Sequence, residues 1–492
     1  MTTDPTASSP RIDRRALLRA GAAVLPLGAA ASFAVALPAP SHADPSLTEG
    51  RTRTRDIPLA DLPQRSTADG GSCRVIEGSA ATMVGASWTG GAIDGVRARG
   101  RAEGGDWTPW YPLETAEDPD DGSAHGAAEP AWLGAVDEIE VRAEREGEDV
   151  TSEVTAHVVT TSPRQEESTG SAPRTLRSLS AAAVSAGDAV TLGPDAPTIV
   201  RRSAWGADES LVRSVSSADE LRAVVVHHTA GSNSYSAADV PQLLRGMLAY
   251  HTGTLGWSDI GYNLLVDRFG TIYEGRHGGL EKSVVGAHAF GFNTHSCGVS
   301  VMGTFTSSAP PSAAIRAVES VAAWKLLGAF RPKAGEAFDW TSTTSGDGIK
   351  YPAGTTARLR RIFGHRDVNA TECPGNAFYP ELPDIRTATT TRMDGAWRLH
   401  YDAYRKAGSA ILGTVTQVAH VEGSYYVTRM TKGLVISSAS GAQDARPTRF
   451  TSWTTSWGLP LAGSRVEGSA RIQDFSEGRA VLEDGEETFT PS

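Results

Sequence analysis

Cysteine is scarce, with three in 492 residues, too few for a disulfide-built scaffold of this size. Basic runs are missing too: acidic residues outnumber Lys and Arg by 57 to 46, the net charge is −11, and no basic aromatic stripe stands out. Plain electrostatics therefore disfavours a nucleic-acid partner. Heptads are absent, which excludes a coiled coil, and 52 glycines are far below the one in three that collagen needs. No series of apolar spans supports a polytopic membrane protein. What the chain does have is 40% apolar residues, enough for ordinary cores, over a length that suits two to four domains of roughly 100 to 200 residues.

The one uncharged stretch of membrane-spanning length runs from Ala20 to Pro40. It is Ala-rich, broken by Gly21, Pro26 and Gly28, and preceded by Arg11, Arg14, Arg15 and Arg19. That pattern predicts an export signal over residues 1–43. Arg14-Arg15 followed by Ala16-Leu17-Leu18 resembles a twin-arginine signal, although Asp13 stands where Ser or Thr is usual. Ser41-His42-Ala43 offers small residues for cleavage before Asp44. An uncleaved membrane anchor is the alternative. Cleavage would remove four Arg and two Asp, taking the net charge from −11 to −13, and would give a secreted or envelope protein with no stable membrane insertion.

The rest reads as a multidomain chain. Residues 44–160 are expected to form an all-β sandwich, because apolar residues alternate at Val84, Ala86, Trp88, at Ile139, Val141, Ala143 and at Val154, Ala156, Val158. Trp107, Trp110 and Tyr111 are assigned to its core rather than to an exposed sugar-binding surface. Residues 161–197, rich in Ser, Ala and Pro, read as a linker.

Residues 198–390 alternate element types. Ala223–Val226 is a short continuous apolar run, as expected for a strand buried on both faces. Ser236 is expected to cap a helix whose Val240, Leu243, Leu244, Met247, Leu248 and His251 share one side. Tyr262–Val266 and Thr271–Tyr273 bracket Asp267-Arg268-Phe269-Gly270 as a hairpin, Val299–Met302 forms a strand, and a second helix starts near Ser312. The sum is an α/β domain, a mixed β-sheet flanked by helices.

Residues 391–492 contain a degenerate repeat, expected to be β-rich. Val421-Glu-Gly-Ser424 recurs as Val466-Glu-Gly-Ser469, and the same offset of 45 pairs Gly413 with Gly458 and Gly433 with Gly478. With Leu412-Gly413 and Leu459-Pro460, this region resembles the LGFP repeats of actinobacterial wall proteins, which implies a cell-wall-binding domain.

Seven of the twelve histidines fall between His227 and His365, where even scatter would place about three or four. That excess directs attention to a metal site. His227 and His228 end the apolar strand, His365 follows the strand-like run Leu359–Gly364, and Cys373 comes eight residues later. Strand ends hold distant ligands on one rigid sheet, and imidazole nitrogen with thiolate sulfur suits Zn²⁺ with a fourth position left for water. Spacing alone leaves structural histidines and a buried thiol equally open. His228 reads as a core or supporting residue and Cys297 as a buried thiol; Cys73 lies in another domain, so a disulfide between them, which would need close docking of the two domains, is not expected.

At these residues a resemblance emerges. Val224-Val-Val-His227-His228-Thr229-Ala230-Gly231, Gly256-Trp257-Ser-Asp-Ile-Gly261-Tyr262-Asn263, Tyr273-Glu-Gly-Arg276, Gly286-Ala-His288-Ala289, Gly291-Phe-Asn293 and Gly364-His365-Arg-Asp-Val368 through Cys373-Pro374-Gly375 resemble the zinc amidase branch of the peptidoglycan recognition proteins, whose domain the phage amidase lysozymes share. The resemblance implies one Zn²⁺ held by His227, His365 and Cys373, with Tyr262 and Thr371 as catalytic residues. It further implies a stem-peptide groove lined by His251, His288 and Asn293. Trp257 and Arg276 match the variant that reads meso-diaminopimelate, where a guanidinium can hold the extra carboxylate bidentately.

The implied function is hydrolysis of the amide between N-acetylmuramic acid and L-alanine in peptidoglycan, for cell-wall remodelling. Wall glycan would be the partner of the flanking domains. A non-catalytic peptidoglycan recognition or wall-binding protein is the alternative, although members that only recognise wall fragments lack the cysteine retained here as Cys373. Related bacterial zinc amidases place a Glu on the strand that here reads Gly298-Val-Ser-Val301, so the general base falls to Tyr262 or Thr371. His288 or a zinc-bound water is a candidate to protonate the leaving amine. The polar segment Trp340–Pro352 is expected to rim the groove.

Overall fold

A computed structural model describes residues 50–67, 71–116, 126–163, 189–190, 196–346, 348–393, 398–439 and 445–492. The export-signal reading of residues 1–43 and most of the linker reading of 161–197 fall outside these residues. No helix among the described residues is long and apolar enough to cross a membrane.

The first domain is antiparallel β throughout: β1 (Thr52–Pro58), β2 (Gln64–Ser66), β3 (Ser72–Trp88), β4 (Gly95–Arg101), β5 (Tyr111–Leu113), β6 (Gly126–Arg145), β7 (Glu148–Asp149) and β8 (Val154–Thr161). Hydrogen bonds join them in the order β1-β8-β3-β6-β4-β5, with β2 beside β3 and β7 beside β6. The expected sandwich is therefore one sheet that folds on itself. β3 and β6 are 17 and 20 residues long. Their register shifts between Glu77 and Ala81 and again between Val84 and Ala86, with positive φ at Gly78, Ala80 and Gly134. Such bulges let a strand bend from one layer into the other. All nine alternating residues named above enter the enclosed core.

Trp107 and Trp110 depart from expectation. They are half-buried on the outer surface, where the Arg99 guanidinium lies 4.9 and 4.6 Å from their ring centres, Arg101 stacks on Trp107 at 4.5 Å and Arg142 on Trp110 at 4.4 Å. The arginines alternate outward along their strands, so the aromatics find cation–π partners instead of the apolar core. Of the three aromatics, only Tyr111 is in the core.

The second domain is built on a seven-stranded mixed sheet. It takes β9 (Ala189–Val190), β10 (Ile199–Val200), β11 (Ala223–His228), β12 (Leu264–Val266), β13 (Ile272–Glu274), β14 (Ser296–Val301) and β17 (Ile362–Gly364), in the order β17-β11-β14-β12-β13-β10-β9. Thus the end of the supposed linker is itself an edge strand. β11 is parallel to both neighbours, β14 and β17, and every one of its residues is buried, which explains its unbroken apolar run.

Val224 and Val226 face α3 (Ser312–Gly328) and α4 (Leu382–Arg392) in one core. Helix α2 (Val240–Gly253) packs on the opposite side of the sheet, against Leu265 and Tyr273. A four-residue helix, α1 (Arg202–Trp205), precedes β11.

Two boundaries moved. Ser236 does not cap α2; its N–H and hydroxyl both bond the Asp239 carboxylate at 2.8 Å, making a turn that leads into Val240, with Pro241 in the first helical turn. The run Leu359–Gly364 is two strands. β16 (Thr356–Arg360) pairs with β15 (Ala337–Thr341) in a separate hairpin, and β17 alone joins the main sheet. Trp340, expected at the start of a rim insertion, is buried with Phe292 and Phe363 under that hairpin.

Among the described residues, the last region has two short helices, α5 (Arg398–Ala407) and α6 (Ser409–Leu412), and two four-stranded antiparallel sheets. Two strands match across the repeat at the 45-residue offset, Tyr425–Met430 with Ala470–Phe475 and Gly433–Ser438 with Gly478–Glu483. Gly413 (φ 80°, ψ −154°) and Gly458 (φ 72°, ψ −157°) share a conformation that L side chains rarely adopt. A Cβ at either would run into the hydroxyl of Thr431 or Ser476, residues that are themselves 45 apart.

Gly413→Ala should lower stability by about 1–3 kcal/mol, whereas Gly253→Ala, whose Cβ meets open space, should be neutral or slightly stabilising. Urea melts of the two variants check this, and equal effects would contradict the repeat's backbone requirement.

Candidate metal centre

The parallel register decides the site. Val224, Val225 and Val226 of β11 stand beside Ile362, Phe363 and Gly364 of β17, so the next residues along both strands are His227 and His365. Both lie at carboxyl ends of adjacent parallel strands, where open α/β sheets present ligands. Cys373 returns to the same place through a 3-10 turn at His365–Asp367 and a loop tied by Arg366 N–H to the Cys373 carbonyl at 2.9 Å. One donor atom from each of His227, His365 and Cys373 lies within 4.8 Å of the others.

Supporting contacts orient this trio. The His228 N–H donates to Cys373 Sγ at 3.3 Å. His227 Nε2 is 3.1 Å from His288 Nδ1, and His227 Nδ1 is 3.7 Å from Cys373 Sγ. Such outer contacts fix ring orientation at metal sites. A second trio, Glu114, His228 and Cys373, also falls within 4.8 Å. His228 suits it poorly as a ligand. Its Nδ1 accepts from Phe305 N–H at 3.3 Å, so Nε2 carries the proton and donates to Glu114 at 2.6 Å.

Burial dominates the electrostatics. It holds His227 well below its ordinary pKa, with His365, His288 and His228 adding to the effect, and takes His288 down to about 3. Both rings are neutral at pH 7, the state a metal requires. His288 is then an unsuitable proton donor for a leaving amine, contrary to the expectation above. Burial, reinforced by Glu114, pushes the Cys373 thiol well up, and a divalent ion would reverse that by binding thiolate. Two imidazoles at the ends of adjacent strands and one thiolate on a tied loop fit Zn²⁺ chemistry. Tyr262 is likewise pushed up, first by burial and then by Glu129, Cys373 and Glu114; it keeps its proton, so its hydroxyl is available to donate.

The other expected residues divide. Tyr262, Trp257 and His288 line the cavity beside Cys373 and His365; His251, Arg276 and Asn293 do not. His251 is wholly buried, Nδ1 accepting from Gly261 N–H at 3.1 Å and Nε2 donating to Glu129 at 2.9 Å. Arg276 is buried and bonds the Ile260 carbonyl at 3.1 Å. The Asn293 side-chain oxygen accepts from the N–H groups of His288 and Ala289, each at 2.8 Å, so it shapes the loop carrying His288. The Thr371 hydroxyl accepts from Cys373 N–H at 3.1 Å and donates to Glu114 at 3.0 Å. Cys73, Cys297 and Cys373 are all free and buried.

Glu114 and Glu129 escaped sequence reasoning. They come from the β domain, more than a hundred residues before their partners, in a chain rich in acids; no local pattern marks them. Burial is the largest single influence and works to raise the Glu114 pKa, but His228, His365 and Thr371 together hold the carboxylate below its usual range.

Comparison with known proteins adds a family context. Residues 217–376 match the family of N-acetylmuramoyl-L-alanine amidases, and residues 41–174 match the family described as Rv3811 N-terminal galactose-binding domain-like. Peptidoglycan-recognition protein SC2 of Drosophila simulans is 34% identical over 185 residues, 38% of this chain and 84% of that protein. Peptidoglycan recognition protein 1 of Bos taurus is 33% identical over 186 residues, 38% of this chain and 82% of that protein. Among solved structures, Drosophila PGRP-LB wild-type is 28% identical, with 37% of this chain and 91% of that chain covered and a TM-score of 0.29.

Metal-free protein should lose stability as pH falls. An unfolded histidine takes a proton near 6.5, while folded His288 resists until about 3. The unfolded state therefore binds more protons across that window, and stability drops by up to about 1.4 kcal/mol per pH unit for each such ring. Urea midpoints in chelator at pH 7 and pH 5 test it; a midpoint that does not fall refutes the neutral burial of these rings.

Proposed function

The chain belongs to the family that unites the peptidoglycan recognition proteins with the type 2 N-acetylmuramoyl-L-alanine amidases, and from that premise we propose that it is an exported amidase. It would hydrolyse the bond between N-acetylmuramic acid and the L-alanine of peptidoglycan stem peptides. The observation that carries this reading is the meeting of His227, His365 and Cys373 donor atoms within 4.8 Å, with Cys373 retained. Those three residues would hold one zinc ion. When bound, Zn²⁺ supplies Lewis acidity and brings the pKa of water from 15.7 to about 7.

The chain's own residues do the rest. His288 fixes the ring of His227, and the His228 N–H supports the Cys373 thiolate. Tyr262, held protonated, donates to the carbonyl oxygen as negative charge grows there. Thr371 positions Cys373 through its backbone N–H. Water adds to the amide carbon and the C–N bond breaks. The lactyl carbonyl becomes a carboxylate, and the alanine amine leaves carrying both protons of that water, as an ammonium. The stem peptide would be of the meso-diaminopimelate type, a reading that rests on the likeness of Trp257 and Arg276 to the family's diaminopimelate-reading variant rather than on the buried position of Arg276 against Ile260. Twin-arginine-type export and wall attachment through the flanking domains complete the reading, the C-terminal repeats being LGFP-like.

Incubation of the zinc-loaded chain with defined muropeptides, followed by mass spectrometry, should show release of intact stem peptide. Chelation should stop it and zinc restore it, and Cys373→Ala should give a folded protein without turnover. Tyr262→Phe should lower kcat by roughly 10² to 10³-fold. A tight muropeptide complex with no product would instead make the chain a recognition protein. Arg276→Ala should weaken cleavage of diaminopimelate peptides selectively, and equal loss on lysine-type substrates would overturn that specificity.

A further inference from the structure

The β domain is seated directly over the metal centre. Its Met83, Trp132 and Val159 share one apolar core with Leu243, Leu244, Met247 and Tyr250 of α2. The approach is close enough to require glycine: a Cβ at Gly85 would overlap the Tyr250 ring, and one at Gly246 would lie 2.6 Å from Met83 Sδ. The Ser232 N–H donates to the Trp132 carbonyl at 2.9 Å, and the Tyr250 hydroxyl to the Ala128 carbonyl at 2.7 Å. From this seat two carboxylates reach across. Glu114 holds His228 and Thr371, and Glu129 holds His251.

The cavity left among Glu114, Glu129, Trp257, Tyr262, His365 and Cys373 has a volume of about 20 Å³, room for one or two water molecules. Sites for ligands of drug size need about 300–1,000 Å³. A muramoyl peptide does not fit while the β domain is in place.

We propose that the N-terminal β domain is a built-in cover that keeps the metal centre shut, latched by Glu114 to His228 and Thr371 and by Glu129 to His251, and that substrate enters only when it is displaced. This rests on the amidase reading for its substrate, but the closure itself is a property of the chain. A permanent catalytic duty for Glu114 is the competing explanation. It requires substrate and carboxylate to occupy the site together, for which there is no space.

The test uses the full chain in a Cys73→Ser, Cys297→Ser background, which leaves Cys373 as the one thiol. Two variants release the cover by different means: Glu114→Ala with Glu129→Ala removes both latches, and Gly246→Leu drives a wedge against Met83 without touching either carboxylate. In chelator, each should speed maleimide labelling of Cys373 at least tenfold. Loaded with zinc, each should raise kcat/KM on a defined muropeptide at least tenfold. Unchanged labelling in both variants overturns the cover. So does a tenfold loss of turnover in the double Ala variant at unaltered zinc content and labelling, which would place Glu114 in the reaction itself. Faster labelling with no cleavage by any form keeps the cover and removes the amidase reading. Full wild-type turnover with labelling indifferent to both variants does the reverse.

Discussion

One pairing register holds the site together. β11 and β17 are adjacent and parallel, and because Val226 stands beside Gly364, the chain places His227 and His365 side by side where both strands leave the core. Side chains alternate along a strand, so a slip of one residue would bring His228 forward in place of His227. Burial on both faces forbids that slip. Val224 and Val226 are committed to the core with α3, while Ala223 and Val225 are committed to the core with Phe363 and Trp340. The geometry of the donor trio is thus inherited from ordinary apolar packing on either side of one strand.

That burial has an electrostatic consequence. Burial keeps the rings of His227 and His288 neutral and the Cys373 thiol protonated at neutral pH. A divalent cation answers both conditions at once, since it binds neutral nitrogen and displaces the thiol proton. The same depth makes each polar contact count: the N–H of His228 on sulfur and the His227–His288 pair act where water does not compete.

Much of this was readable from residue patterns, and the exceptions share a cause. The apolar run at β11, the hairpin around Asp267–Gly270, the helix from Ser312 and the 45-residue repeat announce themselves through local periodicity or turn chemistry. The trio His227, His365 and Cys373 was visible only through resemblance, because parallel pairing joins residues 138 apart with no local trace. Trp107 and Trp110 were misplaced since hydrophobicity argued for the core, while outward arginines supplied another partner. The split of Leu359–Gly364 was hidden because Arg361 can end one strand and begin another without interrupting the apolar pattern. Glu114 and Glu129 depend on how one domain lies against another, which no window of sequence encodes.

Helix α2 shows how the domain contact alters function. Its pattern promised one buried face, yet Arg245, Gly246 and Tyr250 on the remaining surface are buried too. Arg245 there donates to the Trp205 carbonyl of its own domain at 3.0 Å and, across the boundary, to the Ser162 carbonyl at 3.2 Å. A freely tethered module would leave such groups to solvent, and burying a guanidinium without those acceptors would cost several kcal/mol. The β domain is therefore docked on α2 rather than freely tethered. Because α2 also carries His251, whose Nε2 is held by Glu129, the same contact that satisfies the helix governs access to the groove. Stability of the interface and openness of the metal centre are in this way opposed: whatever strengthens one restricts the other.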